Sequence, residues 1–208
     1  MLSVEQLCKR LSSFISKELD LDKDKEAVVN YGIFSLIQIF MSIGLVVVFG
    51  LIFGVLIEAL IASFTGSILR KSSGGVHADS PGKCTAIGTV MCIGIGIISK
   101  KIDISISLII LICLCIFIWS YVIIFKYAPI DSLAKPIKKE EKRMRLKKAS
   151  IVILTIYLII ITLNIILFHL SGGQKYIVYT LCMCFSIVWQ VFSLTKSAHY
   201  LFGKNWLL

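Results

Sequence analysis

Residues 104–125 read ISISLIILICLCIFIWSYVIIF, 22 consecutive residues without a charged side chain. A helix needs about 20 apolar residues to cross the hydrocarbon core of a bilayer, so this stretch is long enough to span a membrane. The whole chain has a similar character: of its 208 residues, 57% are hydrophobic and 16% are charged. Soluble domains carry about a quarter charged residues. The composition therefore predicts one all-α, polytopic membrane domain.

Apolar runs on both sides of this stretch predict five further spans. Residues 28–69 contain a single charged residue, Glu58, and are too long for one helix. Gly50 and Gly54 offer a place to turn, which divides the run into two helices. The six predicted spans are roughly 28–48, 51–69, 84–99, 104–125, 150–170 and 176–195.

The amino-terminal segment has the pattern of an amphipathic helix. Apolar residues recur there at helical spacing, and Lys9, Arg10 and Lys17 occupy the other faces. The apolar positions are Val4, Leu7, Cys8, Leu11, Phe14 and Ile15. We expect an interfacial helix lying on the membrane. A helix packed on the cytoplasmic ends of the bundle is the alternative, and the segment lacks the features of a secretory signal peptide.

The positive charges predict the orientation of these spans. Six spans divide the chain into an interfacial helix (1–27), spans 1–2 (28–69), a loop (70–83), spans 3–4 (84–125), a basic loop (126–149), spans 5–6 (150–195) and a tail (196–208). The four extramembrane segments at 1–27, 70–83, 126–149 and 196–208 lie on one side and hold 19 of the 22 Lys and Arg residues. That side is predicted to be cytoplasmic, and so are both termini. Because the net charge of +10 sits in these loops, it indicates contact with the bilayer and no nucleic-acid partner.

The loop between the second and third spans, RKSSGGVHADSPGKC at residues 70–84, contains the candidate chemistry. It holds His77, one of three histidines, and Cys84, the one cysteine in a polar, glycine-rich setting. A thiolate nucleophile with an imidazole base is the minimum equipment for thiol-acyl chemistry. The alternative is a solvated loop with an ordinary histidine and an ordinary cysteine.

Two local features bear on the reactivity of Cys84. Ser80 followed by Pro81 predicts a helix start, which places Cys84 near a helix amino terminus, where the helix dipole favours an anion. On one continuous helix, residues seven apart stand about 10 Å apart along the axis, too far for proton transfer. We therefore expect the segment to fold back at Gly74-Gly75 and at Pro81-Gly82.

Cys8 lies on the predicted interfacial helix, and the five cysteines within the predicted spans are expected to pack as small apolar side chains: Cys92, Cys113, Cys115, Cys182 and Cys184. An odd cysteine count and a cytoplasmic setting argue against a disulfide framework. His77 and Cys84 would need two further ligands to hold a metal ion, so we expect neither a metal site nor a cofactor.

The pattern Arg70-x4-Gly75-x-His77-Ala78-x5-Cys84 resembles the signature of the accessory gene regulator B peptidases. Tyr127-Ala128-Pro129 together with Lys135-Pro136-Ile137 is similar to that family's second recurring patch. The likeness runs over nearly the whole chain in length and layout, and it is strongest at residues 70–84.

The resemblance implies a cysteine endopeptidase in the bacterial cell membrane with a cytoplasmic active site. Its substrate would be an autoinducer propeptide of quorum sensing. Cys84 would attack the carbonyl that precedes the acidic tail, and His77 would act as general base and then protonate the leaving amine. An internal nucleophile of the peptide would then capture the thioester as a macrocyclic thiolactone.

Other residues are candidates for supporting roles. Arg70 either binds a substrate carboxylate, orients the loop or snorkels at the interface, and Gly75 permits a backbone turn. Asp131 or Asp79 would orient the catalytic imidazole. Glu58, an ionisable residue within a span, serves either helix packing or substrate contact.

Several alternatives stay open from the sequence. A peptide exporter and a non-catalytic membrane scaffold are the rival functions. The basic loop at 135–148 fits topology setting and anionic-lipid contact, with attraction of an acidic tail as a second role. The oligomeric state is open, and a homodimer is compatible with the sequence.

Overall fold

The computed structural model describes residues 4–76, 80–130 and 139–201. In that part of the chain the backbone forms eight helices. They are α1 (Val4–Glu18), α2 (Lys23–Ile52), α3 (Leu56–Ser73), α4 (Pro81–Lys101), α5 (Ile106–Tyr127), α6 (Glu140–Ser171), α7 (Gln174–Phe192) and α8 (Lys196–Leu201). The only β-type pairing among these residues is one isolated bridge between Gly74 and Ile130. The all-α prediction is confirmed.

The chain divides into two compact units, Met1–Leu45 and Val46–Leu208. The first unit holds α1 and most of α2, and the second unit holds the other helices together with the end of α2. The candidate chemistry of residues 70–84 belongs to the second unit.

Helix α1 forms where an amino-terminal helix was predicted, but the face that it buries differs from the predicted apolar face. Its buried face carries the small side chains of Cys8, Ser12 and Ser16, spaced one turn apart. Leu11 and Phe14 are exposed. The location of this helix on the membrane surface stays a prediction.

The turn between α2 and α3 confirms that residues 28–69 form two helices, with a shifted boundary. Gly54 lies in that turn with a φ of +64°, a left-handed conformation that glycine adopts without steric penalty. Gly50 instead lies within α2, where an added Cβ would be 3.0 Å from the Cα of Leu56. The helix therefore continues past the first glycine, which serves close packing.

Five of the described helices are long and apolar enough to cross a membrane, judged by length and composition. They are α2, α4 (from Gly82), α5, α6 and α7. Helix α3 is not among them, and its 18 residues include Glu58, Arg70 and Lys71. The multi-pass prediction therefore agrees with the structure, and a count of six spans stays a prediction.

Helix α7 forms the centre of the second unit and contacts α3, α4, α5 and α6. Two hydrogen bonds tie α3 into this core: Ser186 Oγ donates to the carbonyl of Ala62 at 2.6 Å, and the Tyr157 hydroxyl donates to the carbonyl of Thr65 at 2.9 Å. Farther along both helices, Gln190 of α7 contacts Ser73 at the end of α3. The two helices therefore run in the same direction, and their carboxyl ends lie together.

Two helices extend farther than the sequence predicted. Helix α3 continues to Ser73, so Arg70 lies in its last turn and not in the following loop. Helix α6 begins at Glu140, which makes the basic residues 140–149 helical where a loop was expected. Charged side chains do not interrupt the backbone hydrogen bonds of a helix, and for that reason the polarity change does not mark the helix end.

Candidate active site

Helix α4 begins as its sequence predicted, and its start positions Cys84. Ser80 has extended backbone angles and its Oγ accepts a hydrogen bond from the backbone N–H of Lys83 at 3.3 Å. Pro81 occupies the first turn, and the backbone N–H of Cys84 donates to the carbonyl of Ser80 at 3.1 Å. The half-buried Cys84 thus lies at the amino-terminal end of α4. The positive pole of a helix dipole favours negative charge at this end.

Arg70, in the last turn of α3, is linked to Cys84 by charge. The Arg70 guanidinium is largely buried and lies close enough to Cys84 for the two side chains to interact electrostatically. Because the pKa of arginine normally exceeds 12, the side chain stays cationic. A permanent positive charge therefore lies within electrostatic range of the candidate nucleophile.

The chain turns sharply after α3 at two glycines. Gly74 and Gly75 have φ values of +71° and +132°. An added Cβ at Gly74 would lie 2.1 Å from the carbonyl oxygen of Ile130, and one at Gly75 would lie 2.4 Å from Ser193 Oγ. Both the backbone angles and the space exclude a side chain at these positions.

Two segments distant in sequence hold this turn, together with the nearby Arg70. The N–H of Ile130 donates to the carbonyl of Ser73 at 3.0 Å, and the N–H of Val76 donates to the carbonyl of Ser193 at 3.1 Å. Arg70 reaches back and donates through Nη2 to the carbonyl of Val76. The segment at 127–130 is therefore brought to the glycine turn, next to the end of α7.

Comparison with known proteins gives a family for this chain. The sequence profile of the accessory gene regulator B (AgrB) family matches residues 8–194. The chain belongs to the AgrB family. AgrB-like protein 2 of Clostridium perfringens strain 13 is 41% identical to it over 195 residues, covering 92% of this chain and 91% of the relative. An AgrB-like protein of C. perfringens strain SM101 has the same identity and coverage. None of the solved structures matches the chain.

Membership of the AgrB family associates the chain with the accessory gene regulator system of quorum sensing and with propeptide processing. The matched residues include the α3 carboxyl end, the start of α4 and the end of α7. The family match thus covers every element that forms the site described here.

Gln190 is a residue of this AgrB-family site that the sequence analysis did not single out. Its side chain is 2% exposed. Its Nε2 donates to Ser73 Oγ at 3.1 Å and to the carbonyl of Gly74 at 2.8 Å, and its Oε1 accepts from Arg70 Nη1 at 3.3 Å. A glutamine within a predicted span was the available signal, because a buried amide needs hydrogen-bond partners.

Two of the predicted site residues, His77 and Asp131, lie outside the described residues, as does Asp79. The structure describes their neighbours Val76, Ser80 and Ile130. The proposed pairing of His77 with Cys84 therefore rests on sequence and family, together with the anchoring of these neighbours.

Glu58 lies at the opposite end of α3 from Arg70. Twelve residues separate the two, which is about 18 Å along a helix. Glu58 forms an ion pair with Lys100 at 3.3 Å, and Lys100 also donates to the carbonyl of Gly54 at 2.7 Å. The structure therefore gives Glu58 a partner at the other end of the helix and does not bring it to the site of Cys84.

The remaining cysteines lie within the helices. All seven cysteines are in the described part of the chain, and none of them forms a disulfide. Cys113 and Cys184 approach one another to 3.5 Å between α5 and α7. No group of three or more His, Cys, Asp or Glu residues with a metal-site arrangement occurs among the described residues.

Proposed function

We propose that this chain is a membrane-embedded cysteine endopeptidase that removes the carboxy-terminal tail of an autoinducer propeptide. Cys84 Sγ attacks the carbonyl carbon that precedes the tail, and His77 accepts the thiol proton. The tetrahedral intermediate collapses, the peptide C–N bond breaks, and His77 protonates the departing amine. The products are a free tail and a thioester between the peptide core and Cys84.

The second half of the reaction transfers the acyl group to an internal nucleophile of the peptide. A cysteine thiol of the core gives its proton to His77 and attacks the thioester carbonyl, and Cys84 leaves as a thiolate. One thioester is exchanged for another, so the step needs no ATP, and the product is a macrocyclic thiolactone. Water must be excluded from the acyl-enzyme, because hydrolysis would release a linear peptide. A site at the membrane interface suits that requirement.

The position of Cys84 is the observation that carries this proposal. It lies at the capped amino terminus of α4, within electrostatic range of the Arg70 guanidinium. The thiolate is the nucleophilic form of cysteine, and reactive thiols typically lie at helix amino termini or beside cations.

We further propose that α3 also crosses the membrane, which gives six spans in all, and that the site faces the cytoplasm. The charges of α3 lie at its ends: Glu58 in the first turn is neutralised by Lys100, and Arg70 and Lys71 lie in the last turn. Charges at helix ends can reach the interface, and the middle of α3 is uncharged. With six spans, 19 of the 22 Lys and Arg residues fall on the side of Cys84.

Cleavage in a purified system tests the function. The chain is reconstituted in liposomes with a candidate propeptide, and tail release and a hydroxylamine-sensitive enzyme adduct are followed by mass spectrometry. Cys84→Ser should abolish both signals, and His77→Ala should nearly do so. Cys92→Ser, on the same helix but away from its amino terminus, is the matched control and should cleave normally.

Two results would overturn the proposal. Cleavage by Cys84→Ser at the normal rate would show that the Cys84 thiol is expendable and that another group breaks the peptide bond. Transfer of intact peptide across the vesicle membrane without cleavage would favour the exporter.

A further inference from the structure

We propose that Gln190 is a positioning residue for the reaction of Cys84 and His77. This inference rests on the proposed peptidase function. Gln190 acts through the backbone of residues 73–76, which it holds together with Arg70. We call Arg70, Gln190 and residues 73–76 the loop clamp.

Both the NH2 group and the carbonyl oxygen of the Gln190 amide form hydrogen bonds in the loop clamp. The NH2 group donates to Ser73 Oγ at 3.1 Å and to the carbonyl of Gly74 at 2.8 Å. The amide oxygen accepts from Arg70 at 3.3 Å, and Arg70 in turn donates to the carbonyl of Val76. The side chain thus joins the end of α3, the glycine turn and the residue that precedes His77.

A role in helix packing alone would place the amide differently. Ser186, one turn earlier on α7, packs against α3 by donating to a carbonyl within that helix. Gln190 instead contacts Ser73 and Gly74, where α3 ends and the turn begins. Its hydrogen bonds therefore fix the direction in which the chain leaves α3.

Residues 77–79 are preceded by Val76 and followed by Ser80, both of which are held by hydrogen bonds, and we call these two residues the flanks. The loop clamp holds the first flank. On the first flank, Val76 is held by its N–H bond to Ser193 and by Arg70. On the second flank, Ser80 caps α4 and fixes the start of the helix that carries Cys84. Only three residues, His77 among them, connect the two flanks, so a displaced Val76 moves the point from which that connection starts.

Replacing Gln190 should therefore affect the reaction more than substrate binding. Gln190→Leu removes both ends of the amide. Gln190→Glu keeps an acceptor for Arg70 but sets a carboxylate against the carbonyl of Gly74. We expect kcat to fall about 10- to 100-fold in each variant, the size of effect that follows a displacement of about 1 Å, with KM nearly unchanged.

A second readout reports on Cys84 without any substrate. Iodoacetamide alkylation of Cys84 is measured against pH and quantified on the Cys84 peptide by mass spectrometry, which separates it from the other six cysteines. We expect the pH profile of alkylation to shift in both Gln190 variants. Thr180→Val is the matched control, because Thr180 is a fully buried polar residue of α7 whose hydroxyl has no hydrogen-bond partner among the described residues. It should leave cleavage and alkylation unchanged.

The outcomes separate this inference from the peptidase proposal. If the Gln190 variants cleave with the wild-type kcat and alkylate with the wild-type pH profile, Gln190 does not position the site. If neither variant folds while Thr180→Val does, Gln190 has a structural role and the inference is also wrong. If Cys84→Ser cleaves normally in the same assay, the peptidase function itself fails, whatever Gln190 does.

Discussion

Substituting Gly75 by alanine tests the geometry of the glycine turn directly. Gly75 has a φ of +132°, a region that residues with a side chain rarely adopt. Its added Cβ would stand 2.4 Å from Ser193 Oγ, closer than two such atoms can approach. Ser193 can move only by giving up its own hydrogen bond to the carbonyl of Gln190, which is 2.6 Å long.

The expected penalty follows from these two effects. A residue held in a sparsely populated backbone region costs about 1–3 kcal/mol. Loss of one buried hydrogen bond adds about 1 kcal/mol. Together they destabilise the local conformation by about 2–4 kcal/mol, and because each 1.4 kcal/mol is tenfold, the equilibrium constant between the intact and the disrupted turn falls roughly 30-fold to several hundredfold. The cleavage rate of Gly75→Ala should fall by up to this factor.

The assay compares propeptide cleavage and thermal unfolding in liposomes. Gly88→Ala is the control, since Gly88 lies one turn after Cys84 in α4 and an added Cβ meets nothing within 4 Å. It should cleave normally. Gly75→Ala combined with Ser193→Ala removes the clash with the hydroxyl, but it also removes the hydrogen bond from Ser193 to the carbonyl of Gln190. The double variant should therefore recover only part of the lost rate and keep the backbone penalty. A Gly75→Ala protein that cleaves within about twofold of wild type and unfolds at the wild-type temperature would refute the strained, crowded turn.

Three further predictions concern other parts of the molecule. Ser80→Ala should lower stability by about 1 kcal/mol through loss of the α4 cap, measured by thermal unfolding, and an unchanged stability would contradict the cap. Mild oxidation with copper phenanthroline should form a disulfide between Cys113 and Cys184, whose sulfur atoms are 3.5 Å apart. Mass spectrometry identifies the linked peptides, and a different pairing would contradict the packing of α5 against α7. Glu58→Gln should lower the free energy of unfolding by about 1–2 kcal/mol and leave the cleavage kinetics unchanged. The loss is smaller than for a fully buried ion pair, because the Lys100 side chain is 43% exposed. A strong kinetic defect would place Glu58 in the site after all.

The helices were predictable because their signals are local. An apolar run of sufficient length predicts a spanning helix wherever the rest of the chain lies. The start of α4 was predictable from equally local signals, since Ser80 caps the amino terminus of the helix and Pro81 occupies its first turn. The ends of α3 and α6 were less predictable, because helical hydrogen bonding continues into charged sequence and no single residue marks the end.

The loop clamp could not be predicted in the same way. Arg70 and Gln190 are 120 positions apart, and neither belongs to a local pattern that names the other. The sequence allowed three roles for Arg70: substrate contact, loop orientation and snorkelling. The structure favours loop orientation, because the guanidinium donates to Gln190 and to the backbone of Val76.

The hydrogen bonds between the glycine turn and the end of α7 determine when the site becomes catalytically competent. The turn that precedes His77 is held by Ser193 and Gln190, near the end of the last long helix. Gly74 and Gly75 allow the turn but do not stabilise it, because glycine loses the most conformational entropy when it is fixed. The order of the turn must therefore come from its partners, which are Ile130, Arg70 and the end of α7. A chain without α7 would retain Cys84 and its capped helix but would lack the partners that α7 contributes to the turn, so catalytic competence depends on completion of the bundle.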